Sequence, residues 1–181
     1  MTDERLFFAL WPAPALRDAL VTARAALPGA PGRLNHPDDL HLTLVFIGAV
    51  ADSNRDCILA AGAAVQANAF TLTLTELGDW SRGRGGSLRW CRPTRIPPAL
   101  PALAQCIEQG LLRCGIAPEK RRYRPHVTLA RKAPPLSRRP LPLPLTWPVH
   151  DFVLAASRSG RRPAYEILQR FALAVGAAGL C

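Results

Sequence analysis

The stretch Asp39-Leu40-His41-Leu42-Thr43-Leu44-Val45-Phe46-Ile47-Gly48 decides how the chain is read. Leu, Val, Thr and Phe dominate it and a glycine closes it, so residues 40–47 are expected to form a β-strand. Side chains two apart on a strand share a face. His41 and Thr43 therefore point one way while Leu42 and Leu44 pack the other way. The pattern returns once, far downstream, in Pro125-His126-Val127-Thr128-Leu129-Ala130-Arg131. There His126 and Thr128 share a face, opposite Val127 and Leu129.

The chain has four histidines, His36, His41, His126 and His150, and nine threonines among 181 residues. Two of the four followed by threonine at the second position is a chance event at about 1.5%, so the pair carries weight that neither copy has alone. His36 and His150 match neither motif and are expected to be structural or surface residues.

Working outward, residues 6–10 read as a buried strand ended by Trp11-Pro12, and residues 14–27 as a helix stopped by Pro28-Gly29. An Ala-rich helix is expected from Ser53 to about Ala67. Residues 70–75 and 87–91 form a hairpin around the Gly/Arg turn of residues 81–86, and a helix fills residues 98–114. Residues 133–148 hold six prolines and read as an extended surface loop. Two closing strands, 151–156 and 164–174, flank a basic turn at residues 158–162. Strands and helices alternate with no long linker, so residues 1–181 are expected to be one mixed α/β unit.

Composition narrows the partners. There are 23 Lys and Arg against 13 Asp and Glu, a net charge of +10, which suits a polyanion. The basic stretches 121–124, 138–139 and 158–162 are candidates for tracking a nucleic-acid backbone. The five cysteines, Cys57, Cys91, Cys106, Cys114 and Cys181, form no Cys-x-x-Cys pair, so reduced and mostly buried thiols are expected, with Cys106 and Cys114 serving as packing. The start lacks the basic opening and long apolar run of a signal peptide, and no stretch has the length of a membrane span. A cytoplasmic monomer is expected.

The paired motifs suit phosphoryl chemistry. Two imidazoles that titrate near neutrality can divide base and acid duties. Two threonine hydroxyls can donate to non-bridging phosphate oxygens, and an arginine can hold developing charge. A metal held by both histidines lacks a third ligand at a telling spacing, so no metal and no cofactor is expected.

On these motifs the sequence resembles the two-histidine (2H) phosphoesterases, and among them the bacterial RNA 2′,3′-cyclic phosphodiesterases, also called 2′-5′ RNA ligases. The likeness extends to Arg5-Leu6-Phe7-Phe8-Ala9-Leu10, the Trp80-to-Trp90 hairpin and the Tyr165 strand. It implies an α+β, bilobal, pseudo-symmetric fold: antiparallel sheets with helices outside and a central cleft. It implies His41 as proton donor to the leaving oxygen and His126 as the base that activates water. Thr43, Thr128 and Arg131 would contact the phosphate of an RNA 2′,3′-cyclic end, giving a 2′-phosphate. Regular alternation sets Arg131 opposite His126, so a bulge or strand end must bring it round. Phe8 would lie near the nucleotide or in the core. Reverse joining to a 5′-hydroxyl, cleavage of small cyclic nucleotides and RNA binding without catalysis are the other readings.

Overall fold

The computed structural model describes residues 5–81, 83–117, 122–158 and 160–176. Among these, nine strands form one sheet with the order β7-β4-β5-β6-β3-β1-β8-β9, and β2 pairs with β6 off that path. The strands are β1 Arg5–Leu10, β2 Arg33–Leu34, β3 Leu42–Ala49, β4 Phe70–Ser81, β5 Ser87–Arg92, β6 Val127–Ala133, β7 Arg139–Val149, β8 Asp151–Ser157 and β9 Tyr165–Ala172. Every named pairing is antiparallel.

Two lobes meet in the middle of this sheet. β3, β1, β8 and β9 form one; β6, β5, β4 and β7 form the other. Where they meet, β3 and β6 share a single register pair, Leu42 with Val127, both fully buried. By contrast β1 and β3 share pairs from Arg5 with Ala49 to Leu10 with Leu42. The α+β, two-lobed arrangement is thus the expected one.

Three helices cover the lobes: α1 Pro14–Ala25, α2 Arg55–Ala63 and α3 Ala99–Arg113. Pro14 opens α1, where a missing N–H costs nothing. α1 touches β6 and β7; α3 packs on β3, and α2 lies against α3 and β9. α3 ends in a Schellman turn: Ile116 N–H donates to the Leu111 carbonyl, Gly115 N–H to that of Leu112, and Gly115 takes φ +72°. One large core cluster joins Leu6, Phe8 and Leu10 of β1 to Leu42, Leu44, Val127 and Leu129. The other face of β1 supplies Phe7 and Ala9 to a smaller cluster with Val153, Ala155, Trp11 and Tyr165.

Two expectations are corrected. Residues 139–149 are not loop but strand β7, paired with β4 from Leu77–Arg139 to Phe70–Val149. β7 is the end strand of the sheet, where prolines are tolerated and blunt an exposed edge, and its register against β4 shifts between Pro140 and Leu145. Likewise the cysteines are not all reduced: Cys57 of α2 is bonded to Cys114 at the end of α3, with Cα atoms 5.8 Å apart. One helical turn along each partner, Gly110 lies against Ala61, where a Cβ would come within 3.0 Å of the alanine Cβ. The missing side chain at Gly110 lets the helices approach closely enough for the bridge. Cys91 is free and buried, and burial pushes its thiol up to about 12. No helix among the described residues is long and apolar enough to cross a membrane.

Candidate active site

Both motif histidines stand one residue before their strands, His41 ahead of β3 and His126 ahead of β6. The expected strands began two residues earlier, at Leu40 and Pro125. A short 3-10 turn, Pro37–Asp39, leads into the first and Pro125 into the second. Because Leu42 pairs with Val127 antiparallel, continuing the register by one residue sets His41 toward Thr128 and Thr43 toward His126. All four line a pocket of about 300 Å³ with Arg5, Phe7, Phe46, Leu88, Arg131, Ser157 and Tyr165.

The two imidazoles are held by the same device. His41 Nδ1 lies 2.7 Å from the Asp39 carbonyl oxygen, and His126 Nδ1 lies 2.7 Å from that of Arg124. A carbonyl only accepts, so each Nδ1 carries the proton and each Nε2 is the reactive nitrogen. Threonines at the second position stand beside them, half-buried, while Leu42, Leu44, Val127 and Leu129 are buried on the opposite face.

Surroundings distinguish the pair. The His41 ring stacks on Trp11 at 5.1 Å and 12°, and meets Phe7 and Tyr165 at 4.9 Å each. This aromatic collar removes water, and desolvation lowers the His41 pKa from 6.5 to about 4. The Asp39 carbonyl opposes that shift, and the nearby His126 and Arg131 add to it. His126 instead meets Trp80 nearly at right angles, with ring centres 4.5 Å apart, and the Arg124 guanidinium lies 5.8 Å from the Trp80 ring centre.

Asp39 anchors the first motif. Its side chain is 5% exposed, and its two oxygens accept the Ala164 N–H at 2.9 Å and the Tyr165 N–H at 3.1 Å. One residue thereby fixes the ring of His41 through its carbonyl and the start of β9, with Tyr165, through its carboxylate.

Arg131 reaches the pocket through a bulge. Trp90 pairs with Thr128, but Arg89 pairs with Ala130, so Leu129 is an extra residue in β6. Leu129 and Ala130 are both buried, and alternation resumes one step late. Arg131 then returns to the face of His126 and Thr128.

Phe8 is corrected. It is fully buried and packs against Phe152 and Phe171 at 6.0 Å, while its neighbour Phe7 lines the pocket. Trp11, Tyr165, Trp80 and Arg5 were not singled out for the site by their sequence. The alternation of β1, which turns Arg5, Phe7 and Ala9 away from Leu6, Phe8 and Leu10, was the available signal for Phe7 and Arg5. His36 caps the 3-10 turn by accepting the Asp38 N–H at 3.2 Å. Among the described residues no group of three His, Cys, Asp or Glu side chains could hold a metal ion. Arg121 of the basic stretch 121–124 lies outside the described residues.

Known proteins resemble this chain over most of its length. The RNA 2′,3′-cyclic phosphodiesterase of Escherichia coli K12 is 33% identical over 173 residues, covering 94% of this chain and 97% of that protein. The protein of the same name from Thermus thermophilus is 30% identical over 181 residues, covering 93% and 90%. The crystal structure of E. coli LigT complexed with 3′-AMP superposes with a TM-score of 0.84 at 32% identity, covering 94% of this chain and 98% of that one. LigT complexed with phosphate gives a TM-score of 0.80 at 30% identity, covering 96% and 99%. The profile of the 2′-5′ RNA ligase superfamily matches residues 12–161, and the chain belongs to that superfamily.

Proposed function

We propose that the chain hydrolyses RNA 2′,3′-cyclic phosphate ends to 2′-phosphomonoesters by two-histidine acid–base catalysis. The observation that carries this reading is the pair of imidazoles in one pocket, each with Nδ1 on a main-chain carbonyl and a threonine alongside. The relatives named for this activity supply the substrate class.

In the proposed step His126 Nε2 takes a proton from water as its oxygen attacks phosphorus. The bond from phosphorus to the ribose 3′-oxygen breaks, and His41 Nε2 protonates that oxygen. The histidines end with their protons exchanged and are reset through solvent. Thr43 and Thr128 donate to the non-bridging oxygens, and Arg131 holds the charge that builds there.

His41 has to be protonated to act as the acid, yet its collar favours the neutral ring. The cyclic phosphate resolves this, because it brings a negative charge next to an imidazole that otherwise faces only His126 and Arg131. Binding the anion and protonating His41 are therefore coupled. All the groups in this scheme come from one chain, so the working unit is taken as a monomer. Cytoplasmic residence goes with an RNA-end substrate, and there the Cys57–Cys114 bond would face a reducing thiol pool.

The test is hydrolysis of a short RNA ending in a 2′,3′-cyclic phosphate, in excess chelator, by wild type, His41→Ala and His126→Ala. Formation of a 2′-phosphate that falls by about 10²–10⁴ in each variant is expected. Retained turnover in either variant would overturn the mechanism, and a 3′-phosphate product would overturn the assignment of the leaving oxygen.

A further inference from the structure

Of the three rings around His41, Trp11 alone lies flat against it. The two ring centres are 5.1 Å apart and the planes 12° apart, whereas Phe7 is tilted by 35° and Tyr165 stands at 85°. Phe7 and Tyr165 line the histidine pocket, but Trp11 lines an outer depression of about 380 Å³ with Trp147, His150 and Ile167. The indole therefore backs the imidazole on the side away from the pocket. Its place is fixed. Trp11 follows the end of β1, Pro12 and Pro14 restrict the chain on either side of Ala13, and the ring packs on Phe7, Ala9, Val153 and Ala155.

We infer that Trp11 is a positioning residue for the acid: its indole face supports the protonated form of His41 from behind while the substrate phosphate holds it from the front. The inference rests on the reaction proposed above, in which His41 gives its proton to the leaving 3′-oxygen. The face of an aromatic ring carries negative charge, and a cation within about 6 Å of the ring centre is drawn to it, most strongly by tryptophan. That attraction is largest where water is excluded. Among the described residues no carboxylate lines the pocket. β6 presents His126 and Arg131 to it and β1 presents Arg5, all of which oppose a further positive charge. β8 and β9 add only the hydroxyls of Ser157 and Tyr165. The carboxylate of Asp39 is turned to the Ala164 and Tyr165 N–H groups. Behind Trp11, Arg17 is paired with Asp38 and Arg170 with Asp151, and His150 completes the outer wall. The indole face is thus what the protein itself sets against the imidazolium. Together with the phosphate it offsets the drying of the site and brings the acid toward the working pH, where proton transfer is most effective. The near-parallel stack also keeps the ring from turning, so Nε2 stays aimed into the pocket while Nδ1 keeps the Asp39 carbonyl.

The experiment follows the His41 and His126 signals by NMR across pH in the complex with adenosine 2′-phosphate, for wild type, Trp11→Phe and Trp11→Leu. Beside it, kcat is measured across pH on a mononucleotide 2′,3′-cyclic phosphate. Leucine keeps the wall apolar but has no π face. The His41 pKa in the complex should fall by about one pH unit in Trp11→Leu, with Trp11→Phe between, because phenylalanine is the weaker partner. The alkaline limb of the kcat profile should move down with it, and above that limb kcat should drop about tenfold. If Trp11 only keeps water out, the smaller leucine admits water and the His41 pKa rises instead. That rise, or no change in either variant, would overturn the inference. An equal shift at His126 would mean a general loosening and would also overturn it. Should the leucine variant not fold, the direction of the shift in Trp11→Phe decides. Absence of turnover in wild type would sink the reaction alone, since the titration needs only the bound phosphate.

Discussion

The carbonyl oxygen of Asp39 and Nδ1 of His41 lie 2.7 Å apart, while the carboxylate of the same aspartate holds the N–H groups of Ala164 and Tyr165. The tautomer of the proposed acid and the position of the tyrosine against its ring thus depend on one buried side chain. Asp39→Ala leaves two N–H groups without their acceptor, at about 1–3 kcal/mol each where they stay dry. It is expected to lower the unfolding midpoint and to reduce kcat more than it raises KM. Asp39→Asn, which keeps one acceptor oxygen, should recover part of both. Asp39 acts through His41, so the pH dependence of kcat should also move in the alanine variant; a profile identical to wild type would leave the residue with a purely structural part.

The aromatic collar makes His41 a stability element with a definite sign. Its pKa is about 4 in the folded chain against 6.5 for an ordinary histidine, so between these values the unfolded chain binds a proton that the folded chain does not. This contribution is fully present above pH 6.5 and is lost as pH falls toward 4. It amounts to at most about 3 kcal/mol, because each pH unit between the two values is worth about 1.4 kcal/mol. Urea unfolding of wild type and His41→Phe at several pH values checks it: the variant should lose less stability on acidification. Ligand binding should pull the other way. In NMR titration the His41 signal should move to higher pKa when a 2′-phosphate mononucleotide binds, and no movement would count against its role as acid.

Arg131 contributes only because β6 carries an extra residue at Leu129. Arg131→Ala should reduce kcat by about 10²–10³, the usual cost of losing one donor to a developing oxyanion. Arg131→Lys should restore charge without the planar fork and recover only part of the loss. Deleting the extra residue Leu129 should cost far less than Arg131→Ala, since Arg131 then stands two positions after Thr128 and on its face in a regular ladder. Single-turnover rates on a mononucleotide substrate decide this, and a deletion variant as slow as Arg131→Ala would refute the reading of Leu129 as the extra residue.

The Cys57–Cys114 bond closes a separation of 57 residues, for which the chain-entropy account gives up to about 4 kcal/mol. It lies between α2 and α3, away from the pocket. The Cys57→Ser, Cys114→Ser double variant should melt at a lower temperature and turn over cyclic phosphate at the wild-type rate. Calorimetry and a turnover assay on one preparation test both halves of that statement.

How far the residues could be read in advance follows from the range of the forces involved. Strand alternation is local, so the shared face of His41 and Thr43, and of His126 and Thr128, was legible from two short stretches. The bulge at Leu129 depends on the neighbouring strand, and only the conflict it had to resolve at Arg131 was visible. Phe7 and Phe8 are chemically equal, and which of them faces the site is decided by the sheet that buries the other. The prolines of β7 signalled loop because an edge strand tolerates them, and the edge is known only once the sheet is. Cys57 and Cys114 are brought together by helix packing at Gly110, which no cysteine spacing announces.

The lone rung between Leu42 and Val127 has a mechanical meaning. Within each lobe many ladder pairs share any distortion, but β3 and β6 meet at one rung, with Asn35 bonded to the Thr128 carbonyl beside it. The rung works as the stop of a caliper: a bulkier side chain at Leu42 or Val127 would spread the imidazoles without touching them.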